Sequence, residues 1–172
     1  MFPLWSKCLR VAVADVVESA SYRALSGVMP FCCVRTEELI PTVRKAIGED
    51  TALLVDGNSC YTPKRAIEVG KILEDSGGGH FEEPCPHWEL EWTQEATAAL
   101  GIDVAGGEQD NDLTQWWRMI AMDVVDIVQP DICYVGGLTR ALEVAKMASE
   151  AGKPCKLQPS YAFCPDQGVH SR

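Results

Sequence analysis

"TALLVDGNSCYTPKRAIEVGKILEDSGGGHFEEP" (residues 51–84) holds two short apolar runs, each closing on acid, with an amphipathic stretch between them. The first run, 51–58, ends in Asp56, Gly57 and Asn58 and predicts a buried strand. Thr62 then stands as N-cap with Pro63 at the first helical position, and Gly77 to Gly79 stop the helix. Ala66, Ile67, Gly70 and Leu73 fall on one face of it. "GHFEEP" (79–84) is the next strand and carries the paired acids Glu82 and Glu83. Strand, helix and strand in this order make a parallel βαβ unit with a right-handed crossover.

The same alternation continues. "WELEWTQEATAAL" (88–100) predicts a helix, "IDVAGGE" (102–108) a strand and "DLTQWWRMIAM" (112–122) a helix. "VDIVQPD" (125–131), "GLTRALEVAKMASEAG" (137–152) and "KPCKLQP" (153–159) repeat the pattern once more. In the helix at 137–152, Leu138, Ala141, Leu142, Ala145 and Ala148 make an apolar stripe. Upstream, 6–20 reads as helical, 22–29 as a strand, and 36–48 as a helix with Pro41 near its start. No linker rich in Pro, Ser or charge divides these units, so one α/β domain over 1–172 is expected.

The totals narrow the partners. Hydrophobic residues make up 47% and charged residues 23%, an ordinary globular balance. A formal net charge of −10 argues against nucleic acid or an anionic membrane surface. No apolar run approaches the length of a membrane span, and Lys7, Arg10 and Asp15 interrupt what a signal peptide would keep apolar. The 8 cysteines form no C-x-x-C pair, and Cys60, Cys85, Cys133 and Cys155 lie in or beside apolar runs. They read as reduced thiols acting as small core residues in a cytoplasmic protein.

Strand ends decide between an open sheet and a barrel. Asp56, Glu82, Glu108 and Asp131 close four consecutive strands at separations of 26, 26 and 23 residues, about one βα unit each. Acids at successive C-terminal strand ends face the mouth of a (β/α)8-type barrel, where such folds keep their chemistry. "SGGGH" precedes a strand rather than opening a helix, so it is no phosphate-binding fingerprint. Any one strand-end acid is ordinarily a solvated loop residue or a helix cap. Three carboxylates converging on one point repel unless a divalent cation sits among them, and an all-oxygen set suits Mg2+ or Mn2+. Asp56, Glu82 and Glu108 are the candidate ligands, with Asp131 as the acid that orients a catalytic base.

At these residues the chain resembles the enolase superfamily, and within it the mandelate racemase/muconate-lactonizing group. "LLVDGN", "FEEP", "VAGGEQ" and "DIVQPDICYVGGLTRALEVAKMA" carry the likeness over about residues 50–155, with 1–35 and 156–172 atypical. The resemblance implies a TIM-type barrel domain and Mg2+ held by Asp56, Glu82 and Glu108. It implies removal of the proton α to a carboxylate, as in acid-sugar dehydratases and in racemases or epimerases, with a small carboxylate as substrate. By motif, Asp131 matches the aspartate of an Asp–His dyad, and Asn58 and Glu83 match neighbours that support the metal.

Departures from the family pattern are equally definite. Ser26 and Val28 stand where a Lys-x-Lys is compared, and Gln158 stands where the dyad histidine is expected. Gln takes up no proton near neutral pH. His170 falls too far along for that role, and no capping domain is expected within these residues. About six parallel strands are expected, which do not close an eight-stranded barrel. The expectation is therefore an incomplete barrel that a second chain or a homo-oligomer completes. A dehydratase ranks first, a racemase or epimerase second, and an inactive metal-binding fragment is the reading from another class.

Overall fold

The computed structural model describes the backbone of residues 8–12 and the whole of residues 36–158. Contacts divide the chain into two compact units, 1–105 and 106–172. In the first unit, strand β1 (Cys8–Ala12) precedes helix α1 (Thr36–Ile47), β2 (Ala52–Asp56), α2 (Pro63–Asp75), β3 (His80–Glu82) and α3 (Leu90–Ala99). β4 (Asp103–Gly106) ends at the boundary. The four strands lie parallel in the order β1-β2-β3-β4. That order is what consecutive βα units with short connections produce.

Leu53, Val55 and Phe81 in the strands are fully buried, and Ala66, Val69 and Leu73 of α2 and Ala96 of α3 cover them. Burial of a Leu or Phe side chain contributes about 1.5–3 kcal/mol, so this shared face holds strands and helices together. Thr62 and Pro63 start α2 as expected, although the Thr62 hydroxyl makes no capping hydrogen bond. At the N-terminal end of the strands, Arg44 staples three elements. Its Nε donates to Ser76 O, Nη1 to Gly48 O and Thr51 O, and Nη2 to Gly77 O, at 2.7–2.9 Å.

The second unit contains α4 (Leu113–Ala121), β5 (Ile127–Val128) and α5 (Leu138–Glu150). Gln129 N–H donates to Gly106 O, both residues lying within this unit. Parallel bridges join Val128 to Cys155 and Asp131 to Gln158. Of the expected strand at 153–159, the described residues 153–158 pair at two points rather than forming a continuous strand.

Two expectations need correction. The segment 6–20 does not read through as a helix, because Cys8–Ala12 is a strand in register with β2. Short apolar runs do not reveal their period, and here the partner strand decided it. The α5 stripe also divides: Ala141, Val144 and Ala148 are buried, while Leu138 and Leu142 are more than half exposed. In α4, Trp116 is fully buried and Trp117 exposed. The expected strand at 22–29, with Ser26 and Val28, lies outside the described residues, as does His170.

Candidate metal centre

Asp56 and Glu82 are the last residues of β2 and β3, and they are register partners. Register partners on parallel strands share a sheet face about 4.8 Å apart. Both are buried, Asp56 to 5% and Glu82 to 2% exposure. The loop after β2 runs along the end of β3, held by three backbone bonds. Gly57 N–H donates to Glu82 O, Ser59 N–H to Glu83 O and Tyr61 N–H to Pro84 O, at 2.7–3.0 Å.

Asn58 enters through its backbone. Its N–H donates to Asp56 Oδ1 at 2.8 Å, while the residue itself is exposed at φ 46°. Glu83 is buried and left-handed, at φ 41°, and its N–H donates to Ala105 O in β4. A non-glycine residue in this region carries strain of order 1–3 kcal/mol and persists only where the surroundings fix it. Here two backbone bonds and the adjoining Pro84 fix it.

In the second unit, Glu108 is half-buried and stands two residues beyond β4. The preceding Gly107 has φ 107°, and a Cβ there would lie 2.2 Å from Cη2 of the buried Trp116. Glycine is therefore required for the indole to approach this backbone. Asp110 N–H closes the turn onto Gly107 O, and Asp110 Oδ1 accepts from Gln115 Nε2 at 3.0 Å. Burial pushes the Asp110 carboxyl up to about 6, with Asp112 adding to the rise and the Gln115 hydrogen bond opposing it. Its Oδ2 is buried and meets no hydrogen-bond donor among the described residues.

Asp131 lies three residues beyond β5, buried to 7% exposure. Its Oδ1 accepts from Cys133 N–H at 2.8 Å and Tyr134 N–H at 3.0 Å, so the carboxylate organises its own turn. Gln158 stands across from it: Gln158 N–H donates to Pro130 O and Ile132 N–H to Gln158 O. The register thus brings to Asp131 the residue that sequence comparison marks as glutamine in place of histidine.

The acids divide between the units, Asp56, Glu82 and Glu83 in the first, Glu108 and Asp131 in the second. Among the described residues no group of three or more His, Cys, Asp or Glu side chains stands gathered as a metal site. The donor chemistry of the first unit fits a hard cation: two buried carboxylates in register offer an all-oxygen donor set.

Other candidate residues separate by exposure. Trp88 is 62% exposed and its ring meets His87 edge-on at 4.8 Å. His80 is buried at the start of β3. Cys85 is buried and Cys133 exposed, and none of the described cysteines is in a disulfide. Sequence reasoning missed Arg140, which reaches both Val135 O and Asn111 O, since nothing in the local pattern marks a contact 29 residues away. No helix among the described residues is long and apolar enough to cross a membrane.

Known proteins resemble this chain in sequence and fold. Arabinonate dehydratase of Saccharolobus solfataricus is 32% identical over 125 residues, covering 73% of this chain and 33% of that protein. The solved structure of a Roseobacter denitrificans protein, provisionally assigned as a racemase, is 50% identical with a TM-score of 0.76. It covers 88% of this chain and 39% of that one. L-Talarate dehydratase from Polaromonas sp. JS666, solved with Mg and L-glucarate, shares the fold at 22% identity and a TM-score of 0.70, covering 90% of this chain and 39% of that one. The chain spans about a third of the length of the curated relative and somewhat more of the solved ones. The profile of the enolase C-terminal domain-like family matches residues 10–163. With that match running through both units, the chain belongs to the enolase C-terminal domain-like family.

Proposed function

We propose that this chain is an incomplete TIM-type barrel domain of about six parallel strands that takes part in Mg2+-dependent removal of the proton α to a carboxylate. The leading reading is dehydration of an acid sugar, in the manner of the arabinonate dehydratase relative. The observation that carries it is the register of Asp56 with Glu82, two buried carboxylates at adjacent C-terminal strand ends. Asp56, Glu82 and Glu108 are the assigned metal ligands, with Mn2+ as the natural substitute. Asn58 and Glu83 hold the ligand-bearing backbone in place. When bound, Mg2+ supplies positive charge against the substrate carboxylate and so favours loss of the α-proton.

Asp131 is assigned as the acid that orients the base. Gln158, its neighbour in register, takes up no proton, so the base comes from outside the described residues or from another chain. That chain is a complementing chain or a second copy, and the setting is cytoplasmic.

The test is a pair of measurements. Calorimetry should show one Mg2+ site that Asp56→Asn and Glu82→Gln weaken at least tenfold. A panel of aldonates and aldarates in D2O, followed by NMR, then separates the chemistries. Water loss to a 2-keto-3-deoxy acid supports the dehydratase. Exchange of the α-proton without water loss supports a racemase or epimerase, the second reading, which the Roseobacter denitrificans likeness favours. Binding without either reaction marks an inactive metal-binding fragment, and no Mg2+ binding refutes the proposal.

A further inference from the structure

Arg140, in the first turn of α5, lies between two loops of the second unit. Its Nε donates to Val135 O and its Nη2 to Asn111 O, both at 2.6 Å. Val135 belongs to the turn that Asp131 organises, and Val135 N–H donates to Asp131 O. Asn111 belongs to the loop between β4 and α4, which carries Glu108. Gly136, at φ 96°, gives the arginine its path, since a Cβ there would stand 3.0 Å from Arg140 Cδ. The planar guanidinium presents donors in fixed directions, so one side chain sets the spacing of two carbonyls that sequence separates by 24 positions. Lysine has no such fork.

We propose that Arg140 is a positioning residue that couples the Glu108 loop to the Asp131 loop, so that metal binding at the first is felt at the second. The inference rests on the metal reading above and concerns the setting of these two acids. Outer partners that orient metal ligands typically change metal affinity 10–100-fold when replaced.

The experiment is hydrogen exchange with mass spectrometry on the 172-residue chain, titrated with Mg2+. In the wild-type chain, amides at 107–112 and at 132–137 should slow together with one midpoint. In Arg140→Lys, only 107–112 should slow, with the midpoint raised about tenfold. Glu108→Gln should abolish the response at both. Protection at 107–112 without any change at 132–137 in the wild-type chain overturns the coupling and leaves the metal reading standing. An Arg140→Lys response equal to wild type does the same. No response at 107–112 in the wild-type chain, or one that Glu108→Gln leaves intact, refutes the metal reading and the coupling with it. The wild-type titration decides the matter if Arg140→Lys fails to fold.

Discussion

Gly107→Ala is the substitution by which the second unit is best probed. The new methyl would lie 2.2 Å from Trp116 Cη2 and 2.6 Å from Cζ3, where carbon contacts normally begin near 3.5 Å. Trp116 is fully buried, so the ring has no open space into which to retreat. Overpacking of this kind costs about 1–3 kcal/mol. The backbone at φ 107° adds about 1–3 kcal/mol for any L side chain. Together the penalty is about 3–5 kcal/mol, against a total stability of about 5–15 kcal/mol for a folded domain. Thermal melts followed by circular dichroism should show Tm lowered by about 10 °C or more. The double variant Gly107→Ala/Trp116→Leu separates the two causes, because a smaller side chain relieves the clash and leaves the backbone strain. It should be less destabilised than the sum of the single variants by at least about 1 kcal/mol. A Gly107→Ala protein within about 1 kcal/mol of wild type would refute the close approach, as would strict additivity in the double variant. Mg2+ affinity should fall in Gly107→Ala in parallel, since the displaced backbone leads directly into Glu108.

Three further outcomes follow from named contacts. Arg44→Met removes four hydrogen bonds to carbonyls, two of them part-buried, and should destabilise the first unit by about 2–3 kcal/mol in urea unfolding without altering Mg2+ affinity. Asp110, whose folded carboxyl is raised to about 6, favours the folded state fully below its ordinary value of 3.8 and loses that contribution as pH rises through about 6. In chelator-treated buffer, wild type should therefore lose up to about 3 kcal/mol more than Asp110→Asn between pH 4 and pH 7, read from denaturant midpoints at each pH. An equal pH dependence in the two proteins would contradict this. Cys85, pushed up to about 12 by burial with Glu95 and Cys60 adding and Thr93 opposing, is thiolate to about one part in ten thousand at pH 8. Iodoacetamide should label the exposed Cys133 and leave Cys85 untouched in the folded chain, as mapped by peptide mass.

The alternation of strands and helices from residue 36 onward was legible in the sequence, and so were the acids at the strand ends. Both are local patterns: apolar periodicity, glycine stops and a polar residue closing each apolar run. Asp56 and Glu82 stand where that pattern puts them, as the final residues of β2 and β3. Glu108 and Asp131 fall two and three residues past their strands, because glycine and proline break the ladder first. The strand identity of Cys8–Ala12 was not legible, since its five residues fit either period until β2 supplied the partner. Nor was the exposure of Leu138, Leu142 and Trp88, which depends on what lies opposite each side chain rather than on its own spacing.

The sequence by itself thus determined the order of strands and helices from residue 36 to 150, the family likeness and the acids that close β2 and β3. Those features reside in residue types and in distances along the chain. Only the tertiary structure decided how the acids are held: Asp56 in register with Glu82, Trp116 pressed on Gly107, and Arg140 spanning two loops. Each of these joins residues brought together by folding. A side chain's reach across space, unlike its periodicity, has no trace in the order of letters.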